Sequence, residues 1–167
     1  MRYLIISILL ACSLFGLEGK VVKVSDGDTI TLLDDAGEQH KIRFYGIDAP
    51  EKSQPFGKKS RENLASYIAG KRVGVDVRAK DRYGRTVGVV YLNRIDINAR
   101  QVKDGYAWAY TQYGGKEYKD LENSAREQRI GLWSEANPEE PWNYRKLKRN
   151  KDVSFNSNDE ELVFELT

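Results

Sequence analysis

The sequence predicts an α+β protein built around a five-stranded barrel of the OB type, with three helices. Three strand-like runs come first, over residues 20–25, 29–33 and 40–45, and short turns separate them. A helical pattern follows over residues 53–69, and two further strand-like runs come after it. Five strands with a helix between the third and the fourth are typical of a five-stranded Greek-key barrel.

The strands are predicted from β-branched and alternating residues. Residues 20–25 hold three valines, and in residues 29–33 threonines alternate with Ile30 and Leu32. The fourth and fifth strands carry valine at every second position, at Val73, Val75, Val77, Val87 and Val89. This period of two indicates strands with one buried face.

The three helices are predicted from helical spacing and from start and stop signals. The first covers residues 53–69, where Ser53 is the expected cap and Pro55 suits the first turn. The second covers residues 96–104, and the third covers residues 116–130. A glycine follows each of the three and indicates its C-terminal end.

The composition is that of one folded domain. The chain has 167 residues, of which 40% are hydrophobic and 11% aromatic, and this excludes a disordered chain. The formal net charge is only +2, so any affinity for nucleic acid must come from local clusters of basic residues. The single histidine, His40, is expected to be a solvated strand residue, since one histidine cannot build a histidine metal site.

The N-terminus has the pattern of an export signal. Arg2 precedes a mainly apolar run over residues 3–17, which is short for a membrane span and suits a secretory signal over residues 1–18. Residues 9–12 also resemble a bacterial lipobox, which would make Cys12 a lipidated N-terminus, and both alternatives stay open. Because Cys12 is the only cysteine, the mature domain forms no internal disulfide and holds no thiolate zinc site. We therefore expect an exported protein that is secreted, periplasmic or attached to the cell envelope.

The rest of the chain divides into a folded domain over residues 19–144 and a charged tail over residues 145–167. The tail is basic over residues 145–151 and acidic over residues 159–165, and neither part has a convincing period. We expect the tail to be flexible.

The candidate site lies in residues 43–51. Arg43 ends a strand, and Asp48 and Glu51 follow on a turn that is stiffened by a proline. If the hairpins pair in sequence, Asp28 at the start of the second strand reaches the same place. Two or three carboxylates beside a guanidinium can hold a divalent cation and a phosphate together. A solvated acidic turn without chemistry is the alternative for such a stretch taken alone.

Three motifs in the same order resemble the staphylococcal nuclease family, and the resemblance runs from about Lys20 to Trp133. They are Asp26-Gly-Asp28-Thr, Arg43-x4-Asp48-Ala-Pro-Glu51 and Asp81-x-Tyr83-Gly-Arg85. The resemblance implies catalytic roles for Arg43, Glu51 and Arg85, a Ca²⁺ ion held by Asp28, Asp48 and the carbonyl of Ala49, and substrate contacts from Tyr83, Tyr110 and Tyr113.

The resemblance also implies a nuclease that cuts DNA and RNA with low sequence specificity and leaves 3′-phosphates. A monomer is expected as the default. No obligate protein partner is expected. The alternative is a catalytically silent OB-fold module that binds single-stranded nucleic acid. The presence of the full set of charged motif residues favours the enzyme, because a pure binding module does not need them.

Overall fold

The computed structural model describes residues 16–151, so the predicted signal segment and the end of the predicted tail lie almost entirely outside the described residues. The strands in chain order are β1 Leu17–Val24, β2 Thr29–Leu33, β3 Gln39–Phe44, β4 Ile47–Asp48, β5 Arg72–Lys80, β6 Thr86–Leu92, β7 Ile95–Asp96 and β8 Trp108–Ala109. The helices are α1 Gly57–Ile68, α2 Ile97–Lys103, α3 Lys119–Glu127 and a fourth, α4, over residues 141–151.

Five of these strands close into a barrel. The sheet order is β3-β2-β1-β5-β6, and a parallel pairing between β3 and β6 joins its two ends. The other pairings in the barrel are antiparallel. Helix α1 lies in the sequence between the third and fourth barrel strands, which confirms the predicted OB-type α+β fold.

The barrel interior is filled by the apolar face that the alternating strand residues supply. Its fully buried side chains include Ile30, Leu32, Ile42, Phe44, Val75 and Val90. Leu64 and Ile68 of α1 and Val102 of α2 belong to the same core. Burying a side chain of this size stabilises the fold by about 1.5–3 kcal/mol. This core holds the strand ends that carry the candidate site.

Helix α1 begins later than the sequence predicts. It starts at Gly57 rather than at Ser53, and residues 53–56 form turns. Phe56 has a left-handed backbone conformation with φ of 64°, and a Cβ atom at Gly57 would collide with the carbonyl of Glu51. The predicted cap at Ser53 and first turn at Pro55 are therefore wrong, because this segment packs back onto the loop that precedes it.

Asp96, the first residue of the predicted second helix, caps α2. The Asp96 side chain accepts a hydrogen bond of 2.9 Å from the amide of Ala99, and Gly105 follows the helix with φ of 73°. Helix α3 is shorter than the predicted 116–130, because residues 115–118 form a 3-10 turn before it.

Two predicted domain boundaries fall inside structural elements. Strand β1 begins at Leu17, where it pairs with Val75, so the boundary after residue 18 lies within a barrel strand. The boundary before residue 145 lies within α4, and residues 145–151 are helical where we expected a flexible tail. Within residues 16–151, no helix combines the length and the apolar character needed to cross a membrane.

Candidate active site

Strands β2 and β3 place an aspartate beside an arginine. Their antiparallel register sets Thr29 opposite Arg43, so Asp28 stands at the start of β2 next to the end of β3. The carbonyl of Asp28 accepts a hydrogen bond of 2.8 Å from the amide of Phe44 and fixes this corner. The Nη1 atom of Arg43 lies directly against Oδ1 of Asp28. The predicted approach of these two motifs is thus realised.

A second, two-stranded sheet brings Asp48 to the same arginine. Strand β4 pairs with β8, with Asp48 opposite Trp108, and the Asp48 side chain is buried. Arg43 Nη2 donates to Asp48 Oδ1 at 2.6 Å, and the amide of Ala49 donates to Asp28 Oδ2 at 2.6 Å. One buried guanidinium therefore links the two aspartates, and Ala49 is hydrogen-bonded to one of them.

The charges at this corner interact with a third acid. Asp26 lies on the turn before β2, and its carboxylate accepts a hydrogen bond of 3.1 Å from the amide of Asp28. Burial raises the pKa of Asp26, and the positive charges of Arg43 and Arg85 oppose that rise. Burial also lowers the pKa of Arg43, while the charges of Asp48 and Asp26 oppose that change. No role was predicted for Asp26 from the sequence, although its charge acts on the site.

These residues form a suitable ligand set for a hard divalent cation. Asp28 and Asp48 are buried carboxylates that already converge on one positive group, and carboxylate and carbonyl oxygens are the ligands that Ca²⁺ and Mg²⁺ prefer. These two aspartates, together with the carbonyl of Ala49, would hold the ion.

A different group of possible metal ligands lies on the hairpin between β2 and β3. There the ligand atoms of Asp34, Glu38 and His40 lie within 4.8 Å of one another, and they are the one such set of three or more found among residues 16–151. His40 Nε2 is 2.7 Å from Asp34 Oδ2, a contact that lowers the pKa of Asp34, so the histidine is paired within the hairpin. It plays no part in the site around Arg43.

Glu51 joins the site through a residue of α4. Arg145 Nη1 donates to Glu51 Oε1 at 2.7 Å and to Asp48 Oδ1 at 3.2 Å, and its Nη2 donates to Asp48 Oδ2 at 2.7 Å. Partial burial lowers the pKa of Arg145, but hydrogen bonds and charge from the two acids outweigh it and raise the pKa. The sequence prediction missed Arg145. The one local signal was Pro141, a residue suited to the first turn of a helix.

The turn between β5 and β6 carries Arg85 and Tyr83. The Nε of Arg85 donates to Asp81 Oδ2 at 2.6 Å, and the turn is closed by hydrogen bonds from the amides of Tyr83 and Arg85 to Asp81 Oδ1. Tyr83 is exposed, and its ring lies 5.7 Å from the guanidinium carbon of Arg85. Arg85 is near enough to Asp26 and Arg43 for their charges to interact. These two residues therefore form an accessible rim of the site.

An aromatic surface adjoins the site near Asp48. The rings of Tyr110 and Tyr113 are 4.7 Å apart, and Tyr110 stacks on Trp142 of α4 at 5.1 Å with an angle of 4° between the planes. Burial raises the pKa of Tyr110, and the charge of Asp48 adds to that effect, so its ring lies close to the acids. Tyr113 is exposed. The structure thus brings Tyr110 to the site and places Tyr113 at its outer edge, while Trp142 was not predicted.

The arrangement defines a class of protein. A closed OB barrel presents buried carboxylates, three guanidinium groups and exposed aromatic rings on one side, which is the chemistry needed to hold a phosphodiester and a metal ion together. We therefore class the molecule as an OB-fold phosphodiesterase.

The comparisons with known proteins name the family. The model for staphylococcal nuclease homologues matches residues 41–135. An uncharacterized endonuclease of Haemophilus influenzae is 44% identical over 147 residues, covering 87% of this chain and 83% of that protein. A micrococcal nuclease of Shigella flexneri is 41% identical over 144 residues, covering 79% and 82% of the two chains. The protein belongs to the staphylococcal nuclease family and is a nuclease.

A plant relative shares the same region within a longer chain. The staphylococcal-like nuclease CAN1 of Arabidopsis thaliana is 42% identical over 113 residues, which are 67% of this chain and 35% of that protein. The family uses metal ions and acts on nucleic acids, in agreement with the donor set around Asp28 and Asp48. The predicted family and enzyme class are confirmed.

Proposed function

We propose that the protein is a calcium-dependent nuclease that hydrolyses DNA and RNA with low sequence specificity and leaves 3′-phosphate products. The observation that carries this proposal is the convergence of Asp28 and Asp48 on one buried guanidinium. Two buried carboxylates are costly to keep charged without positive charge between them, which Arg43 supplies in the structure and which a divalent ion could supply in its place. A site that holds them together is therefore suited to a divalent ion, and the flexible oxygen shell that these residues offer matches Ca²⁺.

In this proposal, Asp28, Asp48 and the Ala49 carbonyl hold the ion. A bound Ca²⁺ ion would supply positive charge to the phosphate oxygens and lower the pKa of a coordinated water. Arg43, which is paired to both aspartates in the structure, is available to the phosphate when a cation neutralises those carboxylates. The support for this role is its position between them.

The remaining charged residues act on the water and on the leaving side. Glu51 orders the attacking water or removes its proton, as a general base. Arg85 binds the phosphate with a forked donor and stabilises charge on the leaving 5′ oxygen. Its planar, forked guanidinium suits an electrostatic clamp. Tyr83, which is exposed beside it, hydrogen-bonds a terminal phosphate.

The aromatic residues explain low sequence specificity. Tyr113 offers an exposed ring surface at the edge of the site, next to Tyr110, and stacking is worth ~1–3 kcal/mol per base whatever the base. Flexible or single-stranded regions present such bases, so we propose that they are the preferred substrates. In the described residues we find no element placed to read base edges in a groove.

The test is hydrolysis of single-stranded DNA and RNA by the purified protein with Ca²⁺, with excess chelator, and by the Glu51→Gln variant. We expect activity only with Ca²⁺, 3′-phosphate ends by mass spectrometry, and a loss of ~10²–10⁴-fold in the variant. Glu135→Gln is the matched control, because Glu135 is exposed. Salt-sensitive binding of single strands by folded protein without any cleavage would refute the proposal and favour the binding module.

We also propose that the protein is exported, on the pattern of Arg2 and the apolar run that follows it. Mass spectrometry of the N-terminus of the protein isolated from its native cells tests this. A shortened chain confirms export, and its first residue and mass distinguish a free N-terminus from a lipid on Cys12. An unprocessed chain in the cytoplasm refutes the proposal.

A further inference from the structure

The loop that carries Glu51 is held by the end of the chain. Gln54 Nε2 donates to the carbonyl of Glu139 at 2.6 Å, and the Tyr144 hydroxyl donates to the carbonyl of Ser53 at 3.1 Å. With the ion pair from Arg145 to Glu51, three contacts connect residues 51–54 to residues 139–145, which are more than 80 positions away in the sequence.

Without these contacts, nothing in the loop itself would fix the Glu51 side chain. Its main chain is held locally, since the amide of Glu51 donates a hydrogen bond to Gln54 Oε1 at 3.0 Å. The carboxylate, however, is 39% exposed, and Arg145 is the one side chain seen to bind it within residues 16–151. An exposed glutamate otherwise samples several rotamers, while a general base must be placed within about 0.5 Å of its productive position.

We propose that Arg145 is a positioning residue, which holds the Glu51 carboxylate beside the metal ligand Asp48 and thereby makes α4 part of the active site. This inference rests on the role proposed for Glu51. The Arg145 guanidinium binds both oxygens of Asp48 and one oxygen of Glu51, so it sets the distance between the two carboxylates. The stacking of Trp142 on Tyr110 anchors the same helix against the site.

The contacts of Arg145 leave both acids able to work. Asp48 accepts three hydrogen bonds, two at Oδ1 and one at Oδ2, out of about four that a carboxylate can accept. Glu51 is bound at Oε1, and no residue of the described chain is seen to bind Oε2. One oxygen of each acid thus keeps an open acceptor site, which distinguishes a positioning contact from one that blocks the site.

The experiment measures kcat and KM on single-stranded DNA at saturating Ca²⁺ for Arg145→Gln, Glu51→Gln and the double variant. We expect Arg145→Gln to lower kcat by ~10–100-fold with KM changed less than about threefold, because a displacement near 1 Å costs up to about 10²-fold. In the Glu51→Gln background the same change should lower kcat by less than about twofold, because the residue it positions is already inactive.

Three further variants make the result specific. Arg149→Gln makes the same change in charge one turn further along α4, at an exposed residue, and should leave kcat unchanged. Arg145→Lys should not restore activity, because an ammonium group cannot bind two carboxylates with a planar fork. Tyr144→Phe keeps the charge and removes the contact with Ser53, and should lower kcat by a smaller factor. Thermal unfolding of each variant reports whether α4 substitutions disturb the fold.

Several outcomes would overturn the proposal. A higher kcat in Arg145→Gln, or tighter Ca²⁺ binding by calorimetry with kcat preserved, would make Arg145 an inhibitory group that competes with the ion. A rise in KM alone that persists in the Glu51→Gln background would make it a phosphate contact. An unchanged kcat in Arg145→Gln beside an inactive Glu51→Gln would refute positioning while leaving the proposed function intact. An active Glu51→Gln would instead refute the role of Glu51 in the proposed function.

Discussion

Replacing Asn98 with alanine should strongly destabilise the barrel. Asn98 is completely buried, and its Oδ1 accepts a hydrogen bond of 3.1 Å from the amide of Val90. Its Nδ2 donates to the carbonyl of Tyr45 at 2.9 Å and to that of Gly88 at 3.3 Å. The side chain therefore joins α2 to β6 and to the end of β3, close to the loop that leads to Asp48.

The expected cost follows from the groups that lose a partner. Gly88 keeps a second hydrogen bond, from the amide of Tyr45 at 2.8 Å, so the Val90 amide and the Tyr45 carbonyl suffer most. A buried polar group left without a partner costs ~1–3 kcal/mol, so with two such groups the free energy of unfolding of Asn98→Ala should fall by about 2–6 kcal/mol. For a chain of this size that corresponds to a decrease in Tm of roughly 4–24 °C.

Urea unfolding followed by tryptophan fluorescence measures this loss. Asn98→Asp keeps the size of the side chain but replaces the donor with an acceptor, so it should be at least as destabilising as alanine. Asn123→Ala, at an exposed position of α3, is the control and should change the free energy of unfolding by less than about 0.5 kcal/mol. A loss below about 1 kcal/mol in Asn98→Ala would refute the claim that these hydrogen bonds hold the strands together.

Three further changes test the support of the site. Gly27→Ala should destabilise the fold and lower activity, because the added Cβ would lie 2.8 Å from the Cβ of Ala49. Tm and kcat measure this effect, and a variant with unchanged Tm and kcat would show that the turn adapts. Glu122→Ala should lower the free energy of unfolding by about 1–3 kcal/mol, because it leaves the buried β8 amide of Ala109 without a partner, and urea unfolding measures this loss. Burial raises the pKa of Asp96, so its stabilising contribution is complete below the unfolded pKa near 3.9 and is lost as the pH rises through the folded pKa. Asp96→Asn should therefore gain stability relative to wild type between pH 3 and pH 7, and a constant difference across that range would contradict the shift.

The barrel and part of the site could be predicted because they depend on local patterns. Alternation defined β2, a short turn led to the next strand-like run, and the hairpin register of β2 and β3 brings Asp28 beside Arg43 without any long-range information. Asp48 follows β3 after only three residues, so its position near Arg43 could also be predicted from the sequence. The resemblance to the family then implied the roles of these residues.

The missing parts depend on contacts between distant segments. Arg145 reaches Asp48 across 97 positions, and no local period in residues 145–151 indicates that contact. The start of α1 was wrong for the same reason. Ser53 and Pro55 have the local signals of a helix start, but their turn is held against the Glu51 loop and against α4. Tertiary contacts overrode local preference at the place where the site is assembled.

The two arginines that bind Asp48 differ in what their loss would mean. The Arg43 side chain is 15% exposed and lies between two buried carboxylates, so its removal would leave the buried charge of Asp28 uncompensated at a cost of about 3–5 kcal/mol. The Arg145 side chain is 39% exposed, and ion pairs with such exposure contribute about 0–1 kcal/mol. A loss of activity in an Arg43 variant could therefore come either from unfolding or from the loss of a catalytic group. At Arg145 a loss of kcat without a loss of Tm reports the geometry of the acids, which makes it the more informative position for separating stability from catalysis in this site.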